Sequence, residues 1–374
     1  MRIALLLLLF GHGLLHLLGP ARTFGWIDDP ALPRVPIPFA LVYLAAAACL
    51  VTAAASLATR WGPWWLFAAG GVVLSQVAIV ASWSAAWAGT LPNAIVLLAA
   101  LAGFGAWSSR REAAELRHEV VAHATPLIVT DDALHRTPEV VRRWLRRSGL
   151  ESGSSVQWIH LCQDLTMRLS PEQKRWYEAR AEQVMSADPA GFAWGVELRM
   201  NPFTRVYGYD RFAAGRSETM MRAFGLVDVA DEVSDPDKLA EAAAHRYLAE
   251  VAWFPAAALS PAISWRPLDA NRAEATLSYP GGSATGTFTF DSSGDFVRFD
   301  ALRFRKTGPD AEREPWTGRA LGYGTFGGMR IPTALEATWR LDDGPWTWLR
   351  IEVVDVATDR ALAEERRRVL VAGE

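Results

Sequence analysis

Arg246 and Glu250 stand four residues apart in a run that opens on Asp235-Pro236 and holds neither glycine nor proline until Pro255. They therefore lie one turn apart on the same face of a helix. Such a pair has two uses. It can be a structural ion pair joined by strand residues such as Asp269 or Arg303, because a charge held against an aromatic surface needs a partner. Alternatively, Arg246 receives the anionic head of an apolar ligand, since binding sites combine apolar walls with a few placed polar groups. Trp253, a turn further on, and Trp265 would supply such walls. The candidate ligand site is thus Arg246, Glu250, Trp253, Trp265 and Arg303.

His12 and His16 also fall on one helix face, inside an apolar segment. An ionisable group there is a functional candidate, and two imidazoles could meet a metal, a haem edge or a quinone. The plainer expectation is hydrogen bonding to a neighbouring helix, for example to Gln76 or Asn93. His160 and Cys162 share a strand face but have no third ligand at a recognisable spacing. Gly322-Tyr323-Gly324-Thr325-Phe326-Gly327 spells G-x-G-x-x-G, yet Gly328 and Pro332 follow where a helix should open, so it reads as a turn between strands. No nucleophile elbow, zincin helix or phosphate-binding loop occurs, and no cofactor is indicated. Two distant cysteines, Cys49 and Cys162, make no disulfide framework.

The positioning elements divide the 374 residues into two unlike parts. Up to residue 109 the only charges are Arg2, Arg22, Arg34, Arg60, Asp28 and Asp29; the remainder carries 34 basic and 39 acidic residues. That balance excludes an electrostatic nucleic-acid binder. Four segments are apolar enough to span a bilayer, about 20 residues each: Ile3 to Leu18, Ile37 to Ala58, Trp64 to Trp87 and Leu91 to Trp107. Trp61, Trp64, Trp65 and Trp107 beside arginines mark interfaces. Arg2, Arg60, Arg110, Arg111 and Arg117 outnumber Arg22 and Arg34 across the membrane, which places both ends in the cytoplasm. The expected location is a bacterial inner membrane, multi-pass, with membrane lipids as partners.

After a helical stalk and linker over 110–136, residues 137–374 read as one soluble domain. Thr137 caps a helix running to Gly149, apolar at Val140, Val141, Trp144 and Leu145 and basic on the other face, suited either to an anionic leaflet or to capping a core. Helices are expected at Pro171 to Ser186 and from Pro236 to about Trp253. Period-two alternation marks strands, with Phe192, Trp194, Val196 and Leu198 on one face, and Trp346, Trp348 and Arg350 opposite Thr347, Leu349 and Ile351. Turns at 280–282, 291–294 and 342–344 divide the second half into hairpins. The fold class is an all-α transmembrane four-helix module followed by an α+β domain, its curved antiparallel sheet packed on a long helix.

Gly11-His12-Gly13 through Gly19, with Leu74-Ser75-Gln76 and Gly89-Thr90-Leu91-Pro92-Asn93, resembles a four-span module of uncharacterised bacterial membrane proteins. Its relatives place an acidic and a basic residue before the Gly-Thr pair, where this chain has Ser84-Ala85-Ala86-Trp87-Ala88. Arg246-Tyr247-Leu248-Ala249-Glu250, Trp253-Phe254-Pro255, Trp265, Phe290-Asp291, Gly294, Pro315-Trp316, Pro332 and Trp339 resemble a bacterial family of unknown function over about 137–356. The order of elements is similar to the half-open barrels of lipoprotein-carrier proteins. Together these imply a membrane-tethered module that binds or senses an apolar, lipid-like small molecule. An enzyme acting on a lipid or quinone, or a structural assembly protein, is the alternative.

Overall fold

Four helices are long and apolar enough to cross a membrane. In this computed structural model, which describes residues 2–30, 34–229 and 234–359, they lie mainly in a first compact unit, Met1–Ser109 with two short segments at 202–204 and 224–227. The first is interrupted: α1, Arg2–Leu15, gives way to α2, Leu18–Thr23. Pro20 cannot donate to the carbonyl one turn back, which accounts for the break in a segment expected to be continuous. α3 is Ile37–Thr59 and α4 is Trp64–Ala81, shorter than expected and followed by the single turn α5, Trp83–Ala86. α6, Thr90–His123, runs past Trp107 without interruption, because no glycine or proline lies between Trp107 and His123 and most residues there are good helix formers.

The packing of these helices seats many small residues inside, beside Leu9 and Leu50, and turns other large apolar groups outward. Gly71 lies so close to Leu50 that a Cβ there would sit 2.9 Å from its side chain, while Leu7, Leu41, Val73, Val80 and Leu98 point outward. Close backbone approach through small residues is how helices associate in an apolar solvent.

The second unit comprises 110–201, 205–223 and 228–374, of which 360–374 lie outside the described residues. It is built on a thirteen-stranded antiparallel sheet. A two-stranded ribbon, β1 (Leu127–Ile128) with β2 (Ser155–Val156), flanks α7 (Asp131–Arg136) and α8 (Glu139–Arg147). From the middle of the sheet the chain steps outward through β3 (Trp158–Met167), β4 (Tyr177–Ser186), β5 (Gly191–Arg199), β6 (Arg205–Ala213), β7 (Arg216–Ala223) and β8 (Val227–Asp228). α9, Pro236–Glu250, then carries it to the opposite edge, with Asp235 accepting from the amides of Asp237 and Lys238 as N-cap. It returns inward through β9 (Ile263–Pro267), β10 (Arg272–Tyr279), β11 (Gly282–Phe290), β12 (Phe296–Phe304), β13 (Arg313–Phe326), β14 (Met329–Leu341) and β15 (Gly344–Thr358), which closes against β3. Every neighbour is antiparallel, so two meanders joined by one helix suffice. Among the described residues β8 and β9 are the edge strands, each with one neighbour, and the curled sheet is a half-open barrel with α9 packed on β6, β7, β11 and β12.

Three expectations are corrected. Residues 171–186 are not a helix: 177–186 form β4, paired with both β3 and β5. Ala179, Ala181 and Gln183 are buried and alternate with exposed Glu178, Arg180 and Glu182, and two neighbouring strands outweigh a helix-favouring composition. In β15 a bulge at Trp348 breaks the register between the pairs Ala337–Leu349 and Thr338–Thr347. Strict alternation therefore fails: Trp346, Trp348, Leu349 and Ile351 all contribute to the core, and Arg350 points away. The α8 helix starts one residue late and buries Val140, Val141, Trp144 and Leu145 in the main core, so it caps the domain.

The G-x-G-x-x-G segment ends β13, with Gly327 and Gly328 at positive φ joining it to β14. In that core Phe288, Phe290, Phe296 and Phe299 pack ring to ring. Gly286 is required beside them, since a Cβ would lie 2.1 Å from Phe299.

Candidate functional site

A cavity of about 220 Å³ lies in the second unit, lined by α9, the residues after it, and strands β3, β5, β6, β7 and β12 to β15. Its walls include Trp194, Trp253, Phe296, Phe299, Trp316 and Trp348, with Leu165, Met167, Leu335 and Ile351. The side chains come from strands far apart in sequence because the meanders bring β3 and β15 together.

Arg246 enters this cavity from α9 with each of its three nitrogens bonded. Its Nε donates to Glu250 Oε1 at 2.8 Å, Nη1 to Asp210 Oδ2 at 2.7 Å and Nη2 to Gln183 Oε1 at 3.1 Å. Gln183 in turn donates to Glu250 Oε2 at 2.6 Å, closing the ring. The guanidinium sits between Phe192 and Trp194, 4.7 Å from each ring centre. Burial works against this charge, but Glu250 and Asp210 together outweigh it and hold the Arg246 pKa above its ordinary value.

Arg303, on β12, has a different environment. Its Nε donates to the carbonyl of Ala242 at 2.9 Å, and its guanidinium stacks on Trp316 and Trp339, 4.9 and 5.7 Å from the ring centres. Among the described residues it forms no ion pair. Burial, followed by the like charge of Arg246, pulls its pKa down to about 10, with Asp210 and Glu250 offsetting only part. It stays protonated at neutral pH.

Of the other sequence candidates, Trp253 lines the cavity with its Nε1 bonded to the Pro332 carbonyl at 3.1 Å. Trp265 does not line it: its Nε1 donates to Ala258 O at 2.8 Å and its ring meets Phe288 in the core. Asp269 is also remote, paired with Arg272 in an exposed turn. Sequence reasoning missed Asp210 and Gln183, the remaining partners of Arg246. The available signal was weak: Asp210 sits opposite Trp194 in the register of β5 and β6, a pairing visible only once the strands are aligned.

In the first unit, His12 is bonded to Asn93 and His16 to Ser75, each at 2.8 Å. Ser75 donates to Asn93, which donates to Gln76, which reaches Thr90. The two imidazoles thus make the helix contacts expected of them, with Ser75 as the partner not foreseen. Among the described residues no group of three or more His, Cys, Asp or Glu is placed to hold a metal. His160 faces Glu182 at 3.7 Å.

The chain is similar in a structural comparison to a LolA superfamily protein from Nitrosomonas europaea, at 8% identity and a TM-score of 0.25, covering 53% of this chain and 84% of that one. Among curated proteins nothing matches. A family model matches residues 127–351, from the ribbon ahead of α7 into β15 and so across the cavity-bearing sheet, and on that match the chain belongs to DUF6544, a family of unknown function.

Proposed function

We propose that this protein is a membrane-attached binding module whose second unit takes a small, apolar-bodied ligand into the cavity beneath α9. The observation that carries this reading is the cavity itself, walled by aromatic and aliphatic side chains and approached by few polar groups. At about 220 Å³ it falls below the usual range for drug-sized ligands, so the ligand body is small. The test is equilibrium dialysis of labelled octan-1-ol against the full chain in phosphatidylcholine nanodiscs, with empty discs as reference. Saturable binding of one molecule per chain is expected, and Ala337→Leu, which places bulk in the cavity wall, should weaken it at least tenfold. Binding of neither octan-1-ol nor octanoate beyond that to empty discs leaves a structural or assembly role.

The membrane attachment rests on the four apolar helices, and the basic residues Arg2, Arg60, Arg110, Arg111 and Arg117 favour the cytoplasmic face of a bacterial inner membrane for the second unit. Fusing alkaline phosphatase to the C-terminus should give an inactive reporter, with a bright fluorescent protein at the same position. An active phosphatase reverses the orientation.

A further inference from the structure

The polar atoms around the cavity divide by type. Its carboxylates are engaged: Asp210 and Glu250 by Arg246, and Glu336 by Arg319 at 2.7 Å. Gln163 gives its Oε1 to Trp194 Nε1 at 3.1 Å. The groups left over are donors. Gln163 Nε2, Trp316 Nε1 and Trp348 Nε1 are buried with no hydrogen-bond partner among the described residues, although Gln163 is only 2% exposed and Trp316 6%. Arg303 adds a guanidinium that spends Nε on a carbonyl and forms no ion pair among the described residues. All four residues line the same space. Unpaired buried donors are costly, and a positive charge more so, unless something supplies acceptors.

We infer that the cavity ligand is a small organic acid whose anionic head is held by Arg303, with Gln163, Trp316 and Trp348 completing an all-donor cradle and the aromatic walls taking the hydrocarbon body. This rests on the cavity being a ligand site at all. The head group is not assigned to Arg246, because Asp210 and Glu250 already neutralise its charge and three of its five N–H groups go to protein acceptors. Arg303 offers a planar fork matched to a carboxylate. A cavity of about 220 Å³ lies below the span of about 300 Å³ and upward that takes drug-sized ligands. A medium-chain or single-ring carboxylic acid fits, and a diacyl lipid does not. A purely structural Arg303 would instead balance the Arg246, Asp210 and Glu250 cluster, whose formal charge is negative by one.

The experiment compares octanoate with octan-1-ol, equal in chain and different in head, on the full chain in phosphatidylcholine nanodiscs. Octanoate should bind at least tenfold more tightly. Arg303→Met should remove that preference while leaving the melting temperature unchanged or raised, because a buried cation without a carboxylate is itself unfavourable. Should Arg303→Met fail to fold, Arg303→Gln serves as the polar replacement with the same expected loss. Trp316→Phe, which keeps a ring and removes one donor, should weaken octanoate severalfold and octan-1-ol not at all. Equal affinity for acid and alcohol, or undiminished octanoate binding by a folded Arg303 variant, overturns the acid assignment and leaves the apolar cavity standing. Palmitate binding more tightly than octanoate overturns the size limit. Octan-1-ol and octanoate both failing to bind removes the binding reading from which this one starts.

Discussion

Replacing Arg246 by leucine is expected to destabilise the second unit by about 3–5 kcal/mol, the range for removing one partner of a buried ion pair. The substitution strands two carboxylates that form no other ion pair among the described residues: Asp210 and Glu250 are 19% and 11% exposed at the side chain and reach Arg246 at 2.7 and 2.8 Å. It also removes two cation–π contacts and leaves Gln183 without its acceptor role. For a unit of this size the melting temperature falls by about 6 to 20 °C. Thermal unfolding of the full chain in nanodiscs, followed by near-ultraviolet circular dichroism, measures it. Removing all three charges together, with Asp210 and Glu250 also changed to leucine, should recover much of the loss, since an apolar cluster is often as stable as the buried ions it replaces. A melting temperature within a degree or two of the wild type for Arg246→Leu alone would show that solvent already reaches the pair. By contrast, an exposed pair such as Arg266 with Glu274 should cost under about 1 kcal/mol.

The second large effect is Phe288→Ala, at about 3–5 kcal/mol. Phe288 is fully buried, and its ring centre lies 5.0 to 6.2 Å from those of Trp144, Trp265, Phe290, Phe296 and Phe299. It is therefore where α8, β9, β11 and β12 share one contact, and its removal opens a cavity that rigid strands on either side cannot close. Urea denaturation of the full chain should show the midpoint displaced to lower concentration. Phe288→Leu, which keeps most of the volume, should cost less than half as much. Equal costs for alanine and leucine would mean that ring packing, and not volume, holds this corner together.

Much of the architecture was legible because it depends on patterns a few residues long. Apolar runs of about 20 residues bounded by tryptophan and arginine announce the four spans, Asp235-Pro236 announces α9, and glycine-bearing turns at 280–282, 291–294 and 342–344 announce hairpins. Phe192 to Leu198 read directly as a half-buried strand. The errors fell where a local rule met a distant competitor. Residues 177–186 have helix-forming composition, and only pairing with β3 and β5 makes them a strand. The alternation of β15 is broken by a bulge that its partner β14 imposes.

What the sequence by itself determined is the division into an apolar helical part and a strand-rich part, the existence of α9, and the pairing of Arg246 with Glu250, because each follows from spacing along one element. Which cation is left unpaired was decided by tertiary structure alone. In the linear chain Arg246 is the head-group candidate and Arg303 a strand residue beside it, and Asp210 and Gln183 lie 36 and 63 residues from Arg246. Only the curled sheet, by setting β4 and β6 against α9 while β12 meets it beside Trp316, gives one arginine two carboxylates and the other none. Charge partnering depends on distances of a few ångströms across elements distant in sequence, and that is information the order of residues does not contain.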